Sequence, residues 1–271
     1  MFRRLSIKDL YIQLIVLNLA IFLIANIANS LGSSFFPDWL ALNLQHPMPK
    51  IWTLITAHFL HIGFGHVFNN MIIILLFGYL AQYFFRPQSV LSIYIVGAIF
   101  SSAVILLLIG RLLGVEGVAY GASCVAYAIM MAPVIYKPNF TISLFIFGRV
   151  KIKWIALVLF ILGVVIDFSA NITGTLGHLA GAIFGAWYGW KAREGKNILQ
   201  WWDNLFEKWG LGQKNTIKSN PINQRRTYNY KSKPKAGKKA SKLNMDEILD
   251  KISKKGMKSL SKEEKEFLEK S

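Results

Sequence analysis

Six long apolar segments constrain what this chain can fold into more than any other feature. They fall at 11–31, 52–85, 89–110, 118–136, 152–168 and 174–190. A helix needs about 20 residues, at ~1.5 Å each, to cross the ~30 Å hydrocarbon core of a bilayer. A chain crossing lipid must satisfy its backbone hydrogen bonds internally, which helices do. The segments therefore predict an all-α membrane protein of six transmembrane helices and exclude an ordinary soluble domain.

Two of these segments are irregular. Gly63 and Gly65 interrupt the second, so its membrane part is predicted to begin at about His66, and the fifth is the shortest. The first segment follows two arginines, as a signal peptide would. It is too long for the apolar region of a signal peptide and lacks a clear cleavage site, so we interpret it as a retained span.

The basic residues in short loops predict the orientation of the six spans. Loops on the cytoplasmic side of a membrane carry an excess of Lys and Arg. With the N-terminus inside, only Lys50 and Arg111 fall on the outer side. The inner side collects Arg3, Arg4, Lys8, Arg86, Lys137, Arg149, Lys151 and Lys153. We expect both termini to be cytoplasmic and the membrane to be the plasma membrane.

Charge divides the chain into a membrane domain and a basic tail. Residues 1–190 hold 10 Lys and Arg against 4 Asp and Glu, whereas residues 191–271 hold 21 against 10. Because the tail leaves the last span directly, its predicted partners are the anionic headgroups of the bilayer rather than nucleic acid. We divide the chain into a six-span domain at 1–192, an amphipathic interfacial helix at 193–212, a basic disordered linker at 213–242 and a small helical hairpin at 243–271.

The tail carries its own helix signals. Trp202, Phe206 and Trp209 recur at helical spacing opposite Asp203, which predicts a helix on the inner membrane surface with its indole rings at the interface. Apolar positions in 245–255 form one arm of the hairpin. Ser261 and Glu264 have the spacing of a capping box that opens the second arm.

The polar residues inside the spans indicate a site. The second, fourth and sixth spans run from the outer to the inner side, and near their outer ends they carry His66 with Asn70, then Ser123, then His178. The other three spans show nothing comparable at that depth. Because polar groups are costly in hydrocarbon, their convergence at one level indicates a functional cluster.

Small residues predict which helices meet. Gly177, Gly181, Gly185 and Gly189 repeat every fourth residue along the sixth span, and the fourth span offers Ala119, Ala122, Ser123 and Ala126. Such stripes let helix backbones approach closely. If the two faces meet, Ser123 and His178 lie at one level. A serine hydroxyl needs an adjacent base to become a nucleophile, and histidine is the usual one.

Each of these residues has a simpler interpretation. A serine in a helix rich in Gly and Ala is usually a packing residue, and a single membrane histidine can be structural. His58, His61 and His66 could instead be metal ligands. Because no membrane carboxylate accompanies them, and the first two precede the span, we expect no metal and no cofactor.

Together the motifs resemble those of the rhomboid family of intramembrane serine proteases, over about residues 50–190. The run from His61 through His66 to Asn70 is similar to the family pattern H-x4-H-x3-N. Gly121-Ala122-Ser123 is similar to the start of its Gly-x-Ser-Gly motif. Gly177-His178-Leu-Ala-Gly181 is similar to its histidine motif in the sixth span.

The resemblance implies a rhomboid-like bundle and a Ser–His dyad of Ser123 and His178. It also implies an oxyanion site formed by His66, Asn70 and the Ser123 amide, with Tyr127 stacked on and orienting His178. Gly121 and Gly181 would support this arrangement.

Two positions depart from the family pattern. Cys124 stands where the second Gly of Gly-x-Ser-Gly is usual, and Trp52-Thr53 stands where a Trp-Arg pair is common. The first could shift the turn at Ser123, and the second leaves open how the first loop is anchored.

The sequence thus predicts a serine endopeptidase that cleaves other proteins in or next to their transmembrane segments. Two alternatives stay open at this point. One is a non-catalytic rhomboid-like protein that binds membrane clients, and the other is a metal-dependent membrane enzyme built on the three histidines.

Overall fold

The computed structural model describes residues 6–45, 50–61, 63–144, 148–168, 172–211, 251–252, 257 and 260–269. The chain divides into two compact units, Met1–Gln224 and Arg225–Ser271.

Helices make up most of the first unit. In chain order they are α1 (Leu10–Ser30), α2 (Phe35–Leu40), α3 (Thr53–Thr56) followed by a 3-10 turn (Ala57–Phe59), α4 (Phe64–Phe84), α5 (Pro87–Ile105) with a π-helical continuation (Leu106–Leu112), α6 (Ser123–Tyr136), α7 (Ile152–Phe168), α8 (Ile172–Arg193) and α9 (Gln200–Lys208). Two short antiparallel pairs accompany them: β1 (Leu42–Asn43) with β2 (Val118–Ala119), and β3 (Thr141–Leu144) with β4 (Gly148–Lys151). The protein is therefore mostly helical rather than all-α.

Several of these helices have the length and composition of membrane spans. In the part of the chain that the structure describes, α1, α4 and Pro87–Leu112 are long and apolar enough to cross a bilayer, while α6 and α7 are apolar but shorter. Helix α8 has 22 residues. The protein is a multi-pass membrane protein, and the count of six spans stays a prediction.

Helix α6 lies at the centre of the bundle. It contacts α4, α5, α7 and α8, and its side chains are buried from Cys124 to Met130. Neighbouring helices therefore surround α6 over this stretch. By contrast, α1 exposes Leu23, Ile24 and Ile27, which we expect to face lipid.

The fourth apolar segment is not one helix. Its first residues form β2, which pairs with β1 through Leu42 and Ala119, and α6 begins only at Ser123. The cause is local, because Gly117 and Gly121 have φ angles of +122° and +129°, which interrupt a right-handed helix. Ser123 therefore lies at the start of a helix and not within one.

Helix α9 buries Asp203, which the sequence pattern placed opposite the apolar face of this helix. The Asp203 side chain is fully buried against the N-terminal end of α5. Its carboxylate accepts hydrogen bonds from Ser89 at 2.6 Å, from Asn197 at 2.8 Å and from Ser92. A carboxylate with three donors near the positive end of a helix is favourable even when buried. Only part of the predicted segment at 193–212 forms this helix.

In the second unit, α10 (Lys262–Glu269) begins with the predicted capping box. The Ser261 amide donates to Glu264 Oε2 at 2.7 Å, and the Glu264 amide donates to Ser261 Oγ at 3.3 Å. Lys251 lies 2.8 Å from Glu264. The linker at 213–242 and most of the other hairpin arm at 243–255 fall outside the described residues.

Candidate active site

Ser123 is the first residue of α6, at the end where a helix has unused donors. The first intrahelical bond is donated by Ala126 to the Ala122 carbonyl at 2.8 Å. The first amides of a helix have no carbonyl to bond within it, and they form the positive end of its dipole. The Ser123 hydroxyl and amide thus lie where negative charge is stabilised.

Gly121 brings the turn before Ser123 against His66 of α4. A Cβ placed on Gly121 would lie 2.9 Å from Cε1 of His66, 3.3 Å from its Nε2 and 3.9 Å from Oγ of Ser123. The imidazole and the hydroxyl therefore border the same small space. Only a residue without a side chain leaves that space open at this backbone conformation.

A cavity of about 270 Å³ opens beside Ser123. Ser123, Gly121 and His66 contribute to its wall, together with His58, Ser102 and Glu116. Its volume far exceeds the ~15 Å³ that one water molecule needs, and its wall carries several polar groups. The cavity can hold water and part of a substrate next to the hydroxyl.

The glycines of α8 bring the sixth helix against α6, as predicted, but on a different face. A Cβ on Gly177 would lie 2.7 Å from the Cys124 sulfur, and a Cβ on Gly181 would overlap the Cys124 carbonyl. Gly185 and Gly189 lie in the same way against Ala128 and Ala132. The contact face is thus Cys124, Ala128 and Ala132 rather than the predicted alanines and Ser123.

The contact between α8 and α6 determines where His178 lies along the bundle relative to Ser123. His178 follows Gly177, and Ser123 precedes Cys124, so the two residues flank one close contact between helices. His178 is 5% exposed and does not belong to the described residues that line the cavity. The structure thus places the hydroxyl in the cavity wall and the imidazole in the buried α6–α8 interface.

The ring of Tyr127 packs against the ring of His178. The two ring centroids lie 4.6 Å apart with their planes at 45°. The Tyr127 hydroxyl donates to the Leu159 carbonyl of α7 at 3.3 Å. The tyrosine is therefore fixed at its own tip, and its ring limits how the imidazole can turn.

Asn70 lies one helical turn beyond His66 on α4 and is 1% exposed. Its Nδ2 is buried and has no hydrogen-bond partner among the residues that the structure describes. A buried amide donor without a partner costs free energy, which a ligand's oxygen would recover. Asn70 does not line the cavity as the described residues define it.

Sequence reasoning missed three polar residues around this site. Ser102 of α5 lines the cavity, so the expectation of no polar group at this depth in the third span is wrong. Asn18 of α1 is fully buried and contacts Tyr94 at 3.2 Å. Glu116 contributes a carboxylate to the cavity wall from the loop before β2. No motif or regular spacing in the sequence connects a serine in an apolar segment, or an acidic residue in a loop, with this site.

The three histidines before and within α4 do not form a common ligand set. Both ring nitrogens of His58 contact protein groups, Gly121 and Ser102. The rings of His61 and His66 meet edge to face with centroids 5.4 Å apart. Over the described ranges, no group of three His, Cys, Asp or Glu side chains is placed to hold a metal.

The first loop is held in place although Thr53 stands where an arginine is common in the family. The indole of Trp52 stacks on that of Trp39 at 6.2 Å and donates to the Trp39 carbonyl at 2.8 Å. Thr53 is buried and its hydroxyl donates to the Lys50 carbonyl at 2.7 Å. Aromatic stacking and a short hydroxyl bond thus fix the segment that leads to His58.

Two family models match this chain, and one of them covers more than half of its length. The family model of the Rhomboid domain matches residues 48–195. The model of a family of unknown function, DUF6576, matches residues 230–271. Over 210 residues, 71% of this chain, the sequence is 27% identical to "RHOMBOID-like protein 12, mitochondrial" of Arabidopsis thaliana. The match covers 61% of that relative's length.

Proposed function

The chain belongs to the rhomboid family, and from this premise we propose that it is an intramembrane serine endopeptidase with Ser123 as nucleophile and His178 as base. The observation that carries the proposal is the position of Ser123. It lies at the positive end of α6 and in the wall of a cavity, and the next residue, Cys124, contacts the α8 residue that precedes His178. Its substrates would be other membrane proteins, cleaved in or next to their transmembrane segments.

In the proposed reaction, Ser123 Oγ attacks the scissile carbonyl carbon as its proton passes to His178. The resulting imidazolium then protonates the leaving amine, and the acyl-enzyme keeps the new ester bond. Water attacks this ester with His178 again as base, which releases the acid and restores the hydroxyl. Tyr127 takes the orienting part that an aspartate has in a triad.

The oxyanion of each tetrahedral intermediate would be stabilised by three donors. These are the Ser123 amide, the His66 ring and the Asn70 side chain. Support comes from the position of Ser123 at the start of α6, from the closeness of His66 to Gly121 and from the Asn70 amide, which has no hydrogen-bond partner among the described residues. Losing one such donor typically lowers kcat by about 10²- to 10³-fold.

Reconstitution with a model transmembrane substrate tests the proposal. Wild-type protein should cleave it and react with a fluorophosphonate probe, while Ser123→Ala and His178→Ala should abolish cleavage. Ser101→Ala is the matched control, because this buried α5 serine has no hydrogen-bond partner in the described part of the chain. If cleavage survives both substitutions, the proposed Ser–His dyad is wrong. If the wild-type protein does not react with the probe, a non-catalytic protein that binds membrane clients is favoured.

We also propose that both termini lie in the cytoplasm and that the plasma membrane houses the protein, with the basic tail on anionic headgroups. The support is the distribution of basic residues between loops. A cysteine introduced at Lys50 should react with an impermeant maleimide added to intact cells, and one at Lys8 should not. Labelling at position 8 and not at position 50 would show that the N-terminus lies outside.

A further inference from the structure

A histidine outside the proposed dyad holds the backbone that leads to Ser123. His58 lies in the turn Ala57–Phe59 and is 3% exposed. Its Nδ1 lies 3.1 Å from the carbonyl oxygen of Gly121, and its Nε2 lies 3.0 Å from Oγ of Ser102. Because a carbonyl oxygen can only accept, Nδ1 must carry the hydrogen and donate it.

The same turn bonds Gly121 a second time. The Gly121 amide donates to the carbonyl of Ala57 at 2.9 Å. Two successive residues, Ala57 and His58, thus hold the N–H and the C=O of one glycine. With a φ of +129° and no side chain, Gly121 has little else to fix its backbone. Ser123 is only two residues further along.

The turn itself is fastened to the transmembrane helices. The Tyr94 hydroxyl of α5 donates to the His58 carbonyl at 2.8 Å, and Asn18 of α1 contacts the same hydroxyl at 3.2 Å. Ser102 lies 3.0 Å from the Leu54 carbonyl. Since α1 and α5 both support it, the turn is a rigid base from which His58 reaches the segment before Ser123.

A count of protons shows which contact of His58 matters more. Burial lowers the pKa of His58 to about 4, so the ring is neutral at pH 7 and its Nε2 only accepts. Ser102 has one hydroxyl hydrogen and two acceptors at 3.0 Å, Leu54 O and His58 Nε2. The Nε2 contact is therefore shared. The ring also contacts a second backbone carbonyl, that of Ala98, but the Gly121 carbonyl has the larger effect on the ring, so we assign the single ring hydrogen to the Nδ1 bond with Gly121.

We propose that His58 is a positioning residue for the nucleophile, because its Nδ1–H bond to the Gly121 carbonyl fixes the 121–123 turn. The inference rests on the proposed role of Ser123. Holding that turn keeps the Ser123 hydroxyl and amide aimed at one point, where the substrate carbonyl must lie. A nucleophile displaced by about 1 Å can lose about 10²-fold in rate. The loss should appear in kcat, because the bond from His58 acts on the backbone that carries the nucleophile.

Three substitutions of His58 separate positioning from packing. Asparagine places an amide donor where the Nδ1 of histidine lies, whereas glutamine matches the position of Nε2 and is closer to histidine in volume. His58→Asn should keep Ser123 labelling by fluorophosphonate, and kcat, within about threefold of wild type. His58→Gln and His58→Ala should lose about tenfold or more in both, with KM unchanged.

Two neighbouring serines serve as controls. Ser102→Ala removes the shared partner of Nε2 and should lower labelling by only about two- to threefold. Ser101→Ala makes the same change at the preceding buried position, whose hydroxyl has no hydrogen-bond partner among the described residues, and should change nothing. Thermal unfolding of each variant in detergent shows how much stability it has lost.

The ranking of asparagine and glutamine decides the inference. A merely structural histidine would favour glutamine, the better match in volume, so glutamine at or above asparagine overturns the proposal. Labelling of His58→Ala at the wild-type rate overturns it as well. If the alanine variant does not fold, the asparagine and glutamine variants still decide. Absence of Ser123-dependent labelling in wild type is a different outcome, because it overturns the proposed function and this inference together.

Discussion

At the residue scale, Gly121 carries two constraints that no other residue type satisfies together. Its φ of +129° lies where side chains are strained, and a Cβ on Gly121 would lie 2.9 Å from Cε1 of His66, which is too close. A glycine that only turned the chain would need the first constraint alone. The second indicates that the glycine also makes room for the imidazole.

Substituting this glycine separates the two constraints. Gly121→Ala should lower cleavage by at least about tenfold, because strain of about 1–3 kcal/mol and displacement of His66 act together. Gly117→Ala is the matched control, since Gly117 has a φ of +122° and nothing within 4 Å of its Cβ position. It should destabilise the protein with less loss of activity. Equal activity losses, measured by substrate cleavage, would show that His66 is not affected by the added methyl.

Cys124 illustrates how a departure from a family pattern is accommodated. Its side chain is buried, and its sulfur lies against the bare backbone of Gly177. The space that the thiol needs is thus supplied by a glycine on the facing helix. Gly177 thus gives Cys124 room within the contact between α6 and α8.

At the element scale, the glycine stripe of α8 determines how close the sixth helix comes to the central one. Each glycine of the stripe faces α6 at Cys124, Ala128 or Ala132. In lipid, helices gain most from such close backbone contact, because apolar burial offers little driving force there. The same contact sets the height of His178 relative to Ser123.

Gly181→Ala tests this contact. The added methyl would overlap the Cys124 carbonyl, so the helices must separate, at a cost of about 1–3 kcal/mol. Gly65→Ala in α4 is the control, since nothing lies within 4 Å of its Cβ position and alanine favours a helix. Unfolding in detergent should show a loss for the first variant and none for the second. A Gly181 variant as stable and active as wild type would contradict the packing argument.

Helix α9 is held to α5 through one buried carboxylate. Asp203 accepts from Ser89, Ser92 and Asn197, whereas the Arg86–Glu207 ion pair beside it lies at 2.5 Å with both side chains partly exposed. A buried charge with full hydrogen bonding is costly to disrupt, while an exposed ion pair contributes about 0–1 kcal/mol. The carboxylate should therefore dominate.

We expect Asp203→Ala to destabilise the protein by about 3 kcal/mol, because three donors would lose their acceptor inside the protein. Glu207→Ala, one turn along the same helix, should cost less than about 1 kcal/mol. Limited proteolysis after residue 193 should cleave the Asp203 variant faster and leave the Glu207 variant like wild type. Equal rates would mean that α9 is held by its apolar side chains instead.

At the scale of the whole molecule, two buried histidines outside the spans make stability depend on pH. Burial lowers the pKa of both His58 and His61 to about 4. In the unfolded chain each would titrate at about 6.5, so between pH 6.5 and 4 the unfolded state binds more protons than the folded state. Stability should therefore fall as pH falls through this window, and these groups add no dependence above it.

Between pH 6.5 and 4, each histidine should change the free energy of unfolding by about 1.4 kcal/mol per pH unit. Thermal unfolding in detergent at pH 7, 6 and 5 measures it. His58→Asn should remove about half of the slope, because asparagine does not titrate. If this variant keeps the full slope, groups other than His58 cause the pH dependence.

Much of the molecule was predictable from the sequence because lipid imposes a simple rule. Long apolar segments must be helices, and polar residues within them are costly. These two facts directed attention to Ser123, His66, Asn70 and His178, whose roles stay predictions. They were also enough to predict that the fourth and sixth helices meet.

What only the tertiary structure decided is how those residues are held. The start of α6 at Ser123, the hydrogen bonds from Ala57 and His58 to Gly121, and the burial of Asp203 all depend on contacts between segments far apart in the chain. Hydrophobic periodicity reports which residues leave water but not which backbone groups pair. A glycine with positive φ or a serine in an apolar helix gains its meaning only from the neighbour that fills the adjacent space.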